Sequence, residues 1–248
     1  MVEPGKVLLI TGGTRGVGAA TARLAAAQGW AVCMNYLQDE RGAATLAAQI
    51  RATGGTVQAC QADVASEAHV TRLFVEAASL GIVTAVVCNA RAPVTGLPID
   101  HLDARRTARQ LETVILGNLL CSREAARRMS SRHGARGGAL VFVAPRGIRV
   151  GVHETAEDAA ISAARDALTP SLAKELRSDG IRVNAVRPAA PRVANWSGGL
   201  TNRSDRAVGP MAMELGPYEE EAAKQILWLI SKEADRTTGA VVEVPNRE

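Results

Sequence analysis

The chain has 248 residues, of which 47% are hydrophobic, 22% charged and 3% aromatic, enough to bury one sizeable core. Its apolar runs are short beside the roughly 20 residues of a membrane span, which excludes a transmembrane protein. The net charge of +4 (29 basic against 25 acidic residues) is scattered, and three Trp, two Tyr and two Phe cannot build a base-stacking platform, so neither nucleic acid nor membrane is an expected partner.

In chain order, Met1-Val2-Glu3-Pro4-Gly5-Lys6 leads straight into an apolar run over 7–10, so no secretory leader is expected and this run is read as the first strand. Thr11-Gly12-Gly13-Thr14-Arg15-Gly16-Val17-Gly18 follows and opens a helix over 16–28. In that loop Gly12 suits a tight turn, Gly16 a close backbone approach by a pyrophosphate, and Gly18 close packing of helix on strand, while the helix N-terminus offers N–H groups to phosphate oxygens. The second strand, 31–35, ends at Asn35, with no acid where a ribose 2′-hydroxyl would be bound. Arg15 in the loop, and Arg41 just beyond, suit a 2′-phosphate, so the expected cofactor is NADP(H). A helix over 42–52 and a strand over 57–61 come next, and Asp63 with Val64 stands where adenine would lie. A helix over 67–78 leads to a strand over 83–88, with Asn89 and Ala90 beside the expected groove. The remaining elements are a helix over roughly 103–131, a strand over 139–143, a helix over 157–177, a strand over 182–186, a helix over 219–231 and a strand over 241–244. Between 188 and 217 lies a long stretch rich in Gly, Pro, Asn and Ser, read as a lid-like loop within a single domain spanning 1–248. Strands alternating with helices predict an α/β fold with a parallel sheet covered on both faces.

Cys33, Cys60, Cys88 and Cys121 are widely spaced, and His69, His101, His133 and His153 have no partners at ligand spacing, so no metal site is expected. The cysteines read as small buried hydrophobes in a reducing cytoplasm.

The glycine loop, Ala62-Asp63-Val64, Asn89-Ala90, Leu120-Cys121-Ser122-Arg123-Glu124-Ala125, the run from Gly180 to Pro188, Ile226-Leu227-Trp228-Leu229-Ile230-Ser231 and Thr238-Gly239 together resemble the short-chain dehydrogenase/reductase family. The likeness is strongest to its bacterial acyl-carrier-protein reductase and glucose-dehydrogenase-like branch. The resemblance covers nearly the whole chain. It implies a single Rossmann-type doubly wound domain with a seven-stranded sheet, nicotinamide coenzyme binding, and homo-oligomers (dimers or tetramers) built on the helices over 103–131 and 157–177.

The departures gather at one end of that pattern. Family members use an Asn, a Ser and a Tyr-x-x-x-Lys pair to reduce carbonyls. Aligned on the resemblance, these positions hold Val114, Pro145, Asp158 and Ser162. Arg91 replaces a glycine, and Val193 stands where a threonine would hold the carboxamide. Register does not rescue the set, because no tyrosine or lysine occurs from Ser130 through Ala173.

In the family, Tyr protonates the carbonyl oxygen, Lys lowers its pKa and holds the ribose, Ser polarises the carbonyl and Asn supports a water relay. Proline donates no hydrogen bond and valine is inert. Asp158 could serve as an acid only if its pKa moved from about 3.9 to near 7, which costs about 4 kcal/mol. Loss of a positioned general acid costs about 10²–10⁴ in rate. The expectation is an NADP(H)-binding protein with a degenerate reductase site, binding its ligand weakly or in an unreactive pose, regulatory or partner-binding, and able to assemble with an active reductase. The alternatives are an active oxidoreductase that uses Asp158 or His153, and a nucleotide sensor whose 188–217 loop moves. Arg91 either pairs with Asp158 in the vacated pocket or points to solvent. Arg105, Arg106, Arg109, Arg127 and Arg128 read as a solvated or subunit-facing side of their helix, and Trp196 as a pocket plug or a surface residue.

Overall fold

Burial by apolar runs produces seven strands, and in the computed structural model, which describes residues 5–91, 98–144, 155–188 and 217–244, all seven enter one parallel sheet. β1 (Lys6–Thr11), β2 (Ala31–Tyr36), β3 (Val57–Gln61), β4 (Ile82–Cys88), β5 (Gly138–Val143), β6 (Ile181–Pro188) and β7 (Val241–Val244) lie in the order β3-β2-β1-β4-β5-β6-β7. The helices are α1 (Gly16–Ala27), α2 (Glu40–Ala52), α3 (Glu67–Ala78), α4 (Ala104–Leu111), α5 (Gly117–Met129), α6 (Ala156–Glu175) and α7 (Pro217–Ile230).

The central strands β1 and β5 are apolar on both sides because each side is covered, whereas the edge strands β3 and β7 leave Gln61 and Glu243 exposed. On one face Val7 and Leu9 of β1 pack with Phe74 of α3, Met129 of α5 and Leu172 of α6. On the other, Leu8 and Ile10 pack with Ala22 of α1, Leu46 of α2 and Ile226 of α7. Residue parity in the strand thus assigns each side chain to a layer.

The chain runs outward from β1 to β3 and then returns to β4 on the other side of β1, where Thr11 stands opposite Cys88. That reversal splays the connections apart and opens a crevice at the strand carboxyl ends, where such sheets bind ligands. The expected long helix over 103–131 is divided: a π turn, Glu112–Leu116, joins α4 to α5 and contains Val114. Pro145, His153, Val193, Trp196 and residues 189–216 of the expected loop lie outside the described residues. All four cysteines are buried with free thiols. Among the described residues no helix is long and apolar enough to cross a membrane.

Candidate functional site

The carboxyl ends of β1 and β4 are tied to the glycine loop by side chains rather than by ladder bonds. Thr11 Oγ1 accepts from the N–H groups of Asn89 (3.0 Å) and Ala90 (3.1 Å). Asn89 Nδ2 donates to the carbonyls of Thr11 (3.2 Å) and Gly12 (2.7 Å). From the other side Asn35 Oδ1 accepts from Gly12 N–H (3.2 Å), while its Nδ2 donates to Ala62 O (2.7 Å). Both amides therefore brace the loop, and the Asn35 side chain is buried and fully engaged, with no face turned to a ribose.

The loop can pass this close only without side chains. Gly12 has φ +61°, and a Cβ there would stand 2.9 Å from Ala90 Cα; one at Gly18 would stand 2.5 Å from Gly12 O. At Gly16 a Cβ would meet nothing within 4 Å, so the loop is open on that side. Arg15 caps α1 in extended conformation with no side-chain bond, and the first turn holds no acid. The α1 terminus, with Thr14, Gly16 and Val17 leading into it, is thus free to receive an anion. A dinucleotide pyrophosphate fits this opening. Arg15 is 82% exposed with Nε 3.6 Å from Asp39, available to a 2′-phosphate, while Arg41 is exposed on α2.

Asp63, after β3, accepts from Arg109 Nη2 (2.8 Å) and from Ala65 N–H (3.0 Å). Burial, which would raise its pKa, is outweighed by these donors, and the carboxyl sits below its usual range. Val64 is buried against Gly117 at the start of α5. Of the arginines read as a solvated or subunit-facing side, Arg105 and Arg106 are exposed, while Arg109 anchors Asp63, Arg127 and Arg128 converge on buried Glu124, and Arg128 lies over Phe74 at 5.5 Å. An acid on the opposing strand end was the available signal for the Arg109 pair.

At the other end of the crevice Val114 and Ser162 are buried, and Asp158 is 9% exposed. Asp158 stands in the first turn of α6, where Thr155 caps the helix: Asp158 N–H donates to Thr155 Oγ1 (3.3 Å), and that hydroxyl donates to Asp158 Oδ2 (3.0 Å). Burial raises the Asp158 pKa, the Thr155 bond opposes this and the Glu157 charge adds to it. The Arg91 charge is felt at Arg165, whose pKa it lowers. Among the described residues no cluster of three His, Cys, Asp or Glu side chains has the arrangement of a metal site.

Residues 6–197 match the short chain dehydrogenase family. The chain is 37% identical over 241 residues to the uncharacterized oxidoreductase YgfF of Escherichia coli K12, covering 96% of this chain and 98% of that protein. Its fold is similar to a Burkholderia cenocepacia J2315 short chain dehydrogenase solved in complex with NADP (TM-score 0.79, 27% identity, 97% and 96% of the two chains). It is also similar to a blue fluorescent protein from a metagenomic library in complex with NADPH (TM-score 0.78, 26% identity, 97% and 96%).

Proposed function

Because the chain belongs to the short-chain dehydrogenase family, we propose that it is an NADP(H)-binding member whose carbonyl-reducing site is degenerate. It acts as a regulatory or partner-binding protein rather than by turnover, within the acyl-carrier-protein reductase and glucose-dehydrogenase-like branch. The observation that carries this reading is the absence of tyrosine and lysine from Ser130 through Ala173, with Asp158, which the resemblance aligns with the tyrosine, bonded to its own helix cap.

In this reading the α1 terminus, with Gly12, Gly16 and Gly18, receives the pyrophosphate, Arg15 the 2′-phosphate, and Asp63 with Val64 the adenine edge. When bound, NADPH supplies a hydride. This chain's own residues then have to deliver a proton to the carbonyl oxygen, and they are ill suited to it. Ser162 offers a hydroxyl in place of an ammonium, so no cation at that position lowers a neighbouring pKa or clasps the ribose. Val114 cannot hold a water. NADP and NADPH in two similar structures support coenzyme binding as part of the proposal.

Titration calorimetry with NADPH, beside turnover assays on a panel of aldehydes and ketones, tests the reading. Binding without turnover is the expected result; brisk oxidation of NADPH on a simple ketone would overturn it. One observation favours a second reading, an active NADP(H)-dependent oxidoreductase: burial raises the Asp158 pKa, as a general acid requires. Under that reading Asp158→Asn abolishes measurable NADPH oxidation.

The proposal extends to assembly. Leu111, Leu116 and Leu119 are exposed along α4, the π turn and α5, a face suited to a second copy or to an active relative of similar shape. Free, buried thiols suit a cytoplasmic setting.

A further inference from the structure

The core-facing stripe of α6 runs through Ile161, Arg165, Thr169 and Leu172, and one of these four is a charge in an otherwise ordinary buried row. Arg165 is 2% exposed and lies one turn beyond Ser162 on the same face, about 10 Å along the helix axis from Asp158. Its Nη1 has no hydrogen-bond partner, and neither has Nε of Arg187. Arg187 is the next-to-last residue of β6. By strand parity it points to the same side of the sheet as Val183 and Ala185, which share a core layer with Leu172 of α6. Its guanidinium confirms that direction by pairing with Asp166, the residue after Arg165. Its other acid, Glu243, is 3.5 Å away on β7.

Both guanidinium groups thus belong to the layer between α6 and the carboxyl end of β6, each with a buried donor that no protein acceptor meets. The nearby acids, Asp166 and Glu243, are already engaged by Arg187. Burial lowers the Arg165 pKa to about 10; Asp166 opposes this, and Arg91 and Arg187 lower it further, yet the group stays cationic at neutral pH. A buried cation with an unbonded donor is unfavourable, and an aliphatic residue would complete the stripe without it. The arrangement is explained if the counter-charge is supplied from outside the chain.

We propose that Arg165 and Arg187 form an oxyanion site below Asp158 and Ser162, which takes the carboxylate or phosphate head of a small ligand. Guanidinium forks present paired N–H groups that match either head, and a site walled by helix and sheet strengthens the bond by excluding water. The site requires neither bound coenzyme nor turnover, so it stands apart from the reading given above.

Thermal unfolding of the full chain in Tris tests it, with acetate and inorganic phosphate in separate arms and ionic strength matched by sodium chloride. The expected result is a rise in Tm, on the order of 5 °C at a hundredfold excess over Kd, that is lost in Arg165→Leu. A shift with acetate alone assigns a carboxylate and with phosphate alone a phosphate; a shift with both assigns a general oxyanion site. No shift in the wild type, or equal shifts in both proteins, overturns the proposal. If Arg165→Leu does not fold, a wild-type crystal soaked in selenate decides: an anomalous peak within hydrogen-bond distance of Arg165 Nη1 supports the site, and water or nothing there overturns it.

Discussion

Asp158 shows how one side chain can keep a structural role while standing where chemistry would be expected. Its N–H and carboxyl complete a reciprocal bond with Thr155, satisfying the first turn of α6. Because burial holds its folded pKa above the ordinary carboxyl value, the folded protein binds this proton more tightly than the unfolded chain does. The associated stability is fully present below the unfolded pKa and is lost as pH rises through the folded one. Asp158→Asn carries no titrating group, so it is expected to gain stability relative to wild type across that interval. Urea unfolding at pH steps between about 3 and 7 measures the difference, and a difference independent of pH would contradict the assignment. The lack of tyrosine and lysine from Ser130 through Ala173, on which the proposal rests, is a matter of the composition of one segment. Composition did not reveal the occupation of Arg165, although an arginine in register with Ile161, Thr169 and Leu172 is a signal that helical period can carry.

At the scale of elements, the central strands were legible because a doubly covered sheet requires nearly continuous apolar runs, and the run over 139–143 falls within β5. The π turn at Glu112–Leu116 was not legible, since one wider turn leaves the apolar spacing of the flanking helices nearly unchanged. Nor was the use of Asn35 and Asn89. Their positions at strand ends were evident, but an amide there can face a ligand or its own chain, and only the geometry decides. Both face the chain, which joins β1, β2 and β4 through the glycine loop. Asn89→Ala would leave the carbonyl of Gly12 without its 2.7 Å donor and is expected to cost about 1–3 kcal/mol, read as a lowered midpoint in urea at unchanged m-value.

For the whole molecule, the order of the seven strands gathers the proposed binding residues at the carboxyl edge of the sheet, and α4 and α5 leave Leu111 and Leu119 exposed. If their exposed leucines form the contact between copies, Leu119→Glu buries a charge in that contact and shifts the protein toward monomer in sedimentation velocity, while NADPH affinity in calorimetry stays unchanged. An unaltered sedimentation coefficient would place the contact elsewhere. The bracing of the glycine loop has a consequence at this scale too. Thr11, Asn35 and Asn89 serve as masonry for three strands, so changes that spoil the proposed dinucleotide seat also loosen the fold. A lineage under pressure only to stay folded would shed its reactivity and retain its grip on the nucleotide as a by-product of architecture.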